Sequence, residues 1–170
     1  APYAPQTAPM ETHGGLTLDA LPWVIFALMQ LWRARLPSPL QRLRQVLAGL
    51  GGLFGAVGLF AAATLGNPLF AWNSDDLGAR VKGPMLLDTL VLAYAVPGLL
   101  LALLPPHLAA LPAHLRLPLR LAGIGLLVLY AGAEIRRLWQ GPFIGGPGVM
   151  QGELYCYTLA LMACGAGLLW

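Results

Sequence analysis

Charged residues are scarce in this chain, and their scarcity excludes an ordinary soluble protein. Only 10% of its 170 residues are charged and 58% are apolar, whereas about a quarter of the residues in a soluble domain carry a charge. So few charges cannot cover the exterior of a domain in water. The two cysteines, Cys156 and Cys164, would lie about 12 Å apart along a helix, which is too far for a disulfide. A disulfide-stabilised secreted domain is therefore excluded as well.

Motifs that carry familiar chemistry are also missing from the sequence. It contains no phosphate-binding Gly-Lys loop, no nucleophile elbow, no Cys-x-x-Cys pair and no basic-aromatic surface for nucleic acid. His107 and His114 stand in a proline-broken stretch without a cysteine or an acid beside them, so they do not make up the ligand set of a metal site. We predict no metal, no cofactor and no nucleic-acid partner.

Long apolar runs are what the sequence has instead. Residues 46–65 contain no charged side chain, and as a helix they would be about 30 Å long, which is the thickness of the hydrocarbon core of a bilayer. Similar runs recur, and the predicted spans are 16–32, 46–65, 85–104, 117–135 and 154–170. The predicted fold is all-α, a polytopic transmembrane helix bundle with about 4–5 spans.

The N-terminal part of the chain is the least regular. Residues 1–15 are rich in Pro, Ala and Gly, and we predict an irregular connector ahead of the transmembrane region 16–170. Segment 16–32 has a short apolar centre, so it either crosses the membrane or lies flat as an amphipathic helix. Because the chain begins without Met and stops inside an apolar run, we expect a fragment of a longer protein. Its partners would be the remaining helices and membrane lipids.

Basic residues predict the orientation of the spans. The stretch after the first segment carries four arginines and no acid: Arg33, Arg35, Arg42 and Arg44. Cytoplasmic loops are enriched in Arg and Lys, so this loop is predicted to be cytoplasmic. Together with Arg116 and Arg120, this orientation places six basic residues inside and four outside. The N-terminus and the loops after the second and fourth spans would then lie at the outer face.

Small residues and one proline predict how the helices pack. Gly51 and Gly55 form a small-xxx-small pair, and Gly52 belongs to a second row of small residues. Such rows let helix backbones approach closely in lipid, so these faces are predicted to pack against neighbouring helices; the alternative is a glycine-lined substrate path. Pro97 is predicted to kink the third span, and a neighbouring helix must supply a donor for the carbonyl group that it frees.

Mixed charges at the predicted outer face form the candidate site. Asp88 lies within the third predicted span, where a carboxylate needs a partner. Glu134, Arg136 and Arg137 end the fourth span, and Glu153 precedes the fifth. One hypothesis is a polar pocket in which the arginines bind an anionic group such as phosphate, or a glycan, with Asp88 or Glu134 as acid, base or ion partner. The alternative is an interfacial salt-bridge cluster whose arginines extend towards headgroups.

Several short strings resemble a known family. EIRRLWQGP (134–142) and ELYCYT (153–158) are similar to strings near the end of the long chains of the bacterial "predicted membrane protein" family, domain of unknown function 2339. NPL (67–69) and AYAVPG (93–98) resemble it too. The resemblance runs from about residue 46 to the end, with Thr158 where the family has Ser. It implies a many-span, all-helical protein of the bacterial inner membrane, and it assigns no activity and no catalytic residue.

Three kinds of function remain open at this stage. The first is a part of a larger transport or envelope-assembly scaffold. The second is a membrane enzyme that acts on lipid-linked or envelope sugar substrates at the outer face, which requires Asp88 and Glu134 to lie close to Arg136 or Arg137. The third is a purely structural or interaction module, which the Gly-rich and Ala-rich helix faces fit. The scarcity of polar residues at mid-span argues against a complete transport path within these residues.

Overall fold

The computed structural model describes residues 13–70, 80–146 and 148–169, and in this part of the chain it contains five α-helices and no strand. The helices are α1 (His13–Arg33), α2 (Gln41–Thr64), α3 (Val96–Leu103), α4 (Ala113–Gln140) and α5 (Gln151–Leu169). A π-helical turn, Val91–Ala95, leads into α3, and short 3-10 turns lie at Pro68–Phe70 and Pro105–His107. The all-α prediction is confirmed.

Three helical segments are long and apolar enough to cross a membrane: His13–Arg33, Gln41–Phe70 and Ala113–Gln140. The segment Val91–His107 is a shorter apolar helix. With 21 residues, α1 is about 32 Å long, which favours the crossing alternative for segment 16–32 over an amphipathic helix that lies flat. The chain is therefore a multi-span helical membrane protein, as its hydropathy predicted.

The helices start a few residues away from the predicted span boundaries, and the differences at α1 and at the third helical segment are the informative ones. Only residues 13–15 of the predicted connector 1–15 fall within the described residues, and they form the first turn of α1. The third helical segment begins at residue 89 and not at 85. The reason is that Asp88 is not inside the helix: its Oδ1 accepts hydrogen bonds from the backbone N–H groups of Leu90 at 2.8 Å and Val91 at 3.2 Å. A side chain that accepts these bonds is an N-cap.

The predicted Gly51–Gly55 row packs against α1. A Cβ atom on Gly55 would lie 2.6 Å from Val24 Cγ2, and one on Gly51 would lie 2.9 Å from Phe26 Cδ1. Both separations are too short for real atoms, so the two helices can approach this closely only with glycine at these positions. Gly52 differs from the prediction, because a Cβ atom there would meet nothing within 4 Å. Its face of α2 borders a cavity and does not contact a helix.

The contact between α3 and α4 depends on a second glycine pair that the sequence analysis missed. A Cβ atom on Gly123 would lie 2.7 Å from the carbonyl oxygen of Gly98, and both glycines are buried. The same Cβ atom would also meet the backbone nitrogen of Ala102, so α3 contributes both Gly98 and Ala102 to the crossing. These two residues have the small-xxx-small spacing in the sequence, which could therefore have revealed this contact.

Pro97 lies where the π-helical turn passes into α3. Proline has no N–H, so it cannot donate to the carbonyl of Ala93, its partner four residues earlier in an α-helix. The hydroxyl group of Thr17 on α1 lies 3.3 Å from this carbonyl oxygen and 3.0 Å from that of His13 on its own helix, so its single proton is shared between the two. The freed carbonyl is thus satisfied from a neighbouring helix, and the bond ties the third helical segment to α1. A π-helical turn at this position accommodates the interruption of the regular bonding pattern.

The ends of the helices separate the charges into two groups. At one end, which we call the arginine-rich end, lie the C-terminus of α1, the N-termini of α2 and α4, and Arg33, Arg35, Arg42, Arg44, Arg116 and Arg120. At the opposite end, the outer end, lie the N-termini of α1 and α5 and the C-termini of α2 and α4. The described acidic residues of the predicted site all lie at the outer end. At the outer end, the connection between α2 and the third helical segment meets the connection between α4 and α5.

Candidate functional site

Two adjacent arginines at the end of α4 bind different loops. Arg137 forms an ion pair with Asp88, and its Nη2 donates to the carbonyl oxygen of Gly83 at 2.5 Å. The side chains of Arg137 and Asp88 are 11% and 0% exposed, so water screens this pair little. Both partners of Arg137 belong to the segment that connects α2 with the third helical segment. Arg137 therefore holds that connection against the end of α4.

Arg136 holds the loop on the other side. Its Nη1 lies 3.0 Å from Glu153 Oε1, and its Nε donates to the carbonyl oxygen of Ile144 at 2.5 Å. Its Nη2 donates to the carbonyl oxygen of Gly146. Ile144 and Gly146 belong to the connection between α4 and α5, and Glu153 lies in the first turn of α5. All three nitrogen atoms of the Arg136 guanidinium group thus bind the chain itself.

The carboxylate of Glu153 is buried and fully hydrogen-bonded. Oε1 accepts from Arg136 and from the Tyr157 hydroxyl group at 3.0 Å, and Oε2 accepts from Gln140 Nε2 at 3.3 Å and from the Met150 N–H at 3.4 Å. Burial by itself would raise the pKa of Glu153, but the hydrogen bonds and the Arg136 charge outweigh it, so the pKa is lowered. Glu153 is therefore a carboxylate held in its ionised form.

Both acids that bind the arginines also cap helices. Asp88 is the N-cap of the third helical segment, and Glu153 stands three residues after the N-cap of α5, where it accepts the N–H of Met150. A glutamate that reaches back in this way is one half of a capping box. We call Asp88, Arg136, Arg137 and Glu153 the capping cluster. In this cluster, the two arginines at the end of α4 bind the carboxylates that cap the third helical segment and α5.

Backbone bonds join the two loops that the capping cluster holds. The N–H of Val81 donates to the carbonyl oxygen of Pro142 at 2.8 Å, which connects one loop to the other. Lys82 and Thr89 bond each other twice, because the Thr89 N–H donates to the Lys82 carbonyl and the Lys82 N–H donates to the Thr89 hydroxyl. The hydroxyl group of Thr89 also lies 2.8 Å from His13 Nε2 at the start of α1. The outer end is thus one bonded layer.

Glu134 is the predicted site residue that does not join an ion pair within the described residues. It is 6% exposed, and its carboxylate interacts with the backbone N–H of Leu86, but no hydrogen bond of normal geometry reaches either oxygen in this part of the chain. Leu86 has a φ of +66°, which is strained for a residue with a branched side chain. A buried acid beside a strained backbone is the least satisfied feature of the outer end.

All four ionic partners were predicted as site residues, but their pairing differs from a converging pocket. The structure brings Asp88 to Arg137 and Glu153 to Arg136, with Glu134 apart from both arginines. Sequence reasoning missed Thr89, Gln140 and Tyr157, which bond within this layer. Their signal was weak, since single polar residues near the ends of helices are common. Across the described residues, no group of three His, Cys, Asp or Glu side chains could hold a metal ion.

Comparison with known families agrees with this architecture. The model of the family described as "Predicted membrane protein (DUF2339)" matches residues 4–170. The chain belongs to this family. The DUF2339 match includes the α1–α2 hairpin and the region before residue 46, which the short motifs had left out. Searches of curated proteins and of solved structures found no significant match. Because the DUF2339 description names no activity, the role of the capping cluster has to be argued from its geometry.

Proposed function

We propose that this chain is a structural module of a larger membrane scaffold that serves transport or envelope assembly. The observation that carries the proposal is the use of the two arginines. Arg136 donates from three nitrogen atoms to its own chain, and Arg137 binds Asp88 and the Gly83 carbonyl. An anionic ligand would have to displace bonds that hold two loops and two helix starts. This arrangement favours a role in holding the fold over a role in binding a substrate.

Exposed apolar surface supports contact with lipids or further helices. On α5, the side chains of Leu159, Leu161 and Met162 are 64%, 72% and 66% exposed, and in a membrane such a surface faces lipid or another helix. Small residues on the same helix, Ala160 and Gly165, would let a further helix approach closely. We propose that α5 is a contact surface towards the remaining helices of the assembly.

The proposed location is a bacterial inner membrane with the arginine-rich end in the cytoplasm. Six arginines and no acid lie at that end, whereas the outer end carries acids and bases together. This is the asymmetry that the positive-inside rule describes. The substitution Ser38→Cys, in the loop between α1 and α2, tests the orientation. A membrane-impermeant maleimide should label this cysteine only after the cells are opened, and labelling in intact cells would show that the orientation is the reverse.

The structural role is tested by replacing each arginine in the full-length protein. Arg136→Gln and Arg137→Gln should both lower the midpoint of thermal unfolding in detergent and make residues 80–88 and 141–146 accessible to protease. Arg120→Gln is the matched control, because Arg120 is exposed on the same helix and its side chain forms no hydrogen bond or ion pair within the described residues. It should leave both readouts unchanged. If the Arg136 and Arg137 variants keep their stability and loop protection but lose a cellular phenotype, the arginines serve a ligand and the proposal is wrong.

A second function is favoured by Glu134 alone. A buried acid with unbonded oxygen atoms is a group that could give or take a proton, as an enzyme acting on lipid-linked or envelope sugar substrates at the outer face would require. Under this alternative, Glu134→Gln would keep the unfolding midpoint and abolish the phenotype. Under the structural proposal, Glu134→Gln would keep the phenotype, since the amide can be buried without a charge. The two proposals are thus separated by one variant.

A further inference from the structure

Glu134 is a buried acid inside α4 whose carboxyl group forms no ion pair within the described residues. It lies six residues, about 9 Å, before the end of the helix, and it is 6% exposed. Both of its oxygen atoms are enclosed and form no hydrogen bond of normal geometry in this part of the chain. The two arginines that follow it bind Glu153 and Asp88 instead. An ionisable side chain in such a place is a candidate functional site in a membrane protein.

Glu134 belongs to a stripe on α4 that contacts one short turn, residues 83–88. Tyr130, Glu134 and Arg137 are spaced by four and three residues, so they lie on the same face of the helix. The Tyr130 hydroxyl group lies 3.5 Å from the carbonyl oxygen of Leu86, and the Glu134 carboxyl group interacts with the N–H of the same residue. Arg137 binds the two ends of the turn. The three side chains therefore hold the turn against α4.

The 83–88 turn has a strained residue at its centre. The N–H of Leu87 donates to the carbonyl oxygen of Pro84 at 3.1 Å, which closes a β-turn with Leu86 in its third position. Leu86 has a φ of +66°, where turns of types I′ and II normally have Gly or Asn. A leucine keeps this conformation only when its surroundings hold it there. Both backbone groups of Leu86 face the stripe, so Tyr130 and Glu134 are the side chains that hold it.

The surroundings of Glu134 fit the neutral acid and not the carboxylate. A carboxylate buried without a positive charge is so costly that the group takes up a proton instead. The N–H of Leu86 supplies a dipole and no charge, and Arg80 and Lys82, which precede it, are exposed to water and form no ion pair with Glu134. The elements packed against this part of α4 contribute hydroxyl groups, and acids that have their own arginines: Tyr94, Tyr157, Asp88 and Glu153.

We propose that Glu134 is a proton-binding site that is occupied at neutral pH, and that its proton keeps the 83–88 turn closed over the carboxyl group. The turn separates this acid from water at the outer end, since the side chains of Leu86 and Leu87 are 62% and 75% exposed and Glu134 beneath them is buried. The neutral acid can stay buried beside the Leu86 backbone, whereas the carboxylate has to reach water. Release of the proton therefore opens the turn. This inference goes beyond both proposed functions, because it requires neither.

Infrared spectroscopy of the full-length protein in detergent tests whether Glu134 carries a proton at pH 7. A protonated carboxyl group has a C=O stretching band that a carboxylate lacks. The difference spectrum between the wild type and Glu134→Gln should contain this band. The matched control is Asp19→Asn, an exposed acid on α1, and its difference spectrum should lack the band. Absence of the band from the Glu134 difference spectrum would overturn the proposal, because the acid would then be ionised.

A second measurement uses the wild type alone and applies even if Glu134→Gln does not fold. Dicyclohexylcarbodiimide enters apolar regions and adds to protonated carboxyl groups. The carboxyl oxygen bonds to the carbodiimide carbon, the proton moves to one nitrogen, and the acyl group then migrates from oxygen to the other nitrogen, so no group leaves. Mass spectrometry after treatment at pH 7 should find this adduct on Glu134 and not on Glu153, whose carboxylate binds Arg136. An unmodified Glu134 would overturn the proposal.

Hydrogen exchange tests whether the proton controls the turn. If opening releases one proton, the opening equilibrium rises about tenfold per pH unit. The protection of residues 84–88, relative to the unstructured chain at the same pH, should therefore be greatest in acid and should fall by up to about tenfold per unit as the pH is raised from about 6 to about 9. In Glu134→Gln, the buried amide has no proton to release, so this protection should stay constant. The same pH dependence in both proteins would overturn the control of the turn by Glu134.

Discussion

The guanidinium group of Arg137, near the end of α4, forms a buried ion pair with Asp88, the N-cap of the third helical segment. One carboxylate therefore has two structural functions. Its Oδ1 accepts the orphan N–H groups of Leu90 and Val91, and its Oδ2 binds the arginine. The position at which the third helical segment starts is thus coupled to the end of α4, and the connecting loop is held between them.

The two functions of Asp88 can be separated by substitution. Asn still accepts the two backbone N–H groups and loses the charge, whereas Ala loses both. We expect Asp88→Ala to lower the free energy of unfolding in detergent micelles by about 0.5–2 kcal/mol more than Asp88→Asn, which is the usual contribution of an N-cap. Asp19→Asn and Asp19→Ala, at an exposed position within α1, should differ little from each other. Equal effects of the two Asp88 variants would show that the cap contributes nothing.

Thr17 is predicted to stabilise the bundle through the carbonyl that Pro97 frees. Thr17→Val keeps the shape of the side chain but removes the proton that the hydroxyl shares between the Ala93 and His13 carbonyls, and the loss of the donor to Ala93 should cost about 1–3 kcal/mol in the free energy of unfolding. Thr17→Ser should restore most of the stability. Thr158→Val is the control, because the Thr158 hydroxyl group bonds only to the Leu154 carbonyl on its own helix. A Thr17→Val protein as stable as the wild type would exclude this role.

Glycine-to-alanine substitutions should have opposite signs at two positions. Alanine is favoured over glycine within a helix by about 0.5–1 kcal/mol, so Gly125→Ala, at an open position, should stabilise the protein slightly. At Gly55 the new methyl group would lie 2.6 Å from Val24 Cγ2 and 3.1 Å from the Val24 backbone nitrogen, and overpacking costs about 1–3 kcal/mol. Thermal unfolding in detergent measures both variants. A stabilised Gly55→Ala protein would contradict the close α1–α2 contact.

We predict that the folded protein loses stability in acid because Glu153 becomes protonated. The folded state lowers its pKa below the ordinary value of 4.5, so the contribution of the carboxylate is complete above that value and is lost as the pH falls through the lower folded pKa. The protection of residues 141–146 from hydrogen exchange, relative to the unstructured chain at the same pH, should therefore fall as acid protonates the ionised group. In Glu153→Gln, this protection should be lower already at neutral pH and should not respond to the same acidification. The same pH dependence in both proteins would exclude Glu153 as the cause.

Hydropathy was sufficient to predict the helical class, because lipid leaves a chain few ways to satisfy its backbone. It was insufficient at residues 85–87, which are apolar and yet precede the helix. An aspartate before an apolar run is a helix start signal, and Asp88 could have been interpreted in this way. The positive φ at Leu86 could not have been predicted, since nothing in the sequence favours this conformation for a leucine.

The residues of the candidate site were easier to predict than their partners. Charge at the end of a span indicates an interface, so Arg136 and Arg137 were found from their position alone. Which arginine binds which acid depends on how α4 is rotated relative to the loops, and adjacent residues on a helix point about 100° apart. Gly52 shows the same limit. Its spacing matched that of packing glycines, and only the arrangement of the neighbouring helices reveals the open cavity beside it.

The most direct test of the account is a double-mutant cycle on Asp88 and Arg137. Asp88→Asn, Arg137→Gln and the double variant are compared with the wild type by reversible unfolding in detergent micelles, with the asparagine retaining the helix cap. The account predicts a coupling free energy of about 1–3 kcal/mol, as for buried residues in direct contact. Effects that add to within about 0.5 kcal/mol would contradict it, because the two side chains would then act independently and the loop would be held by something else.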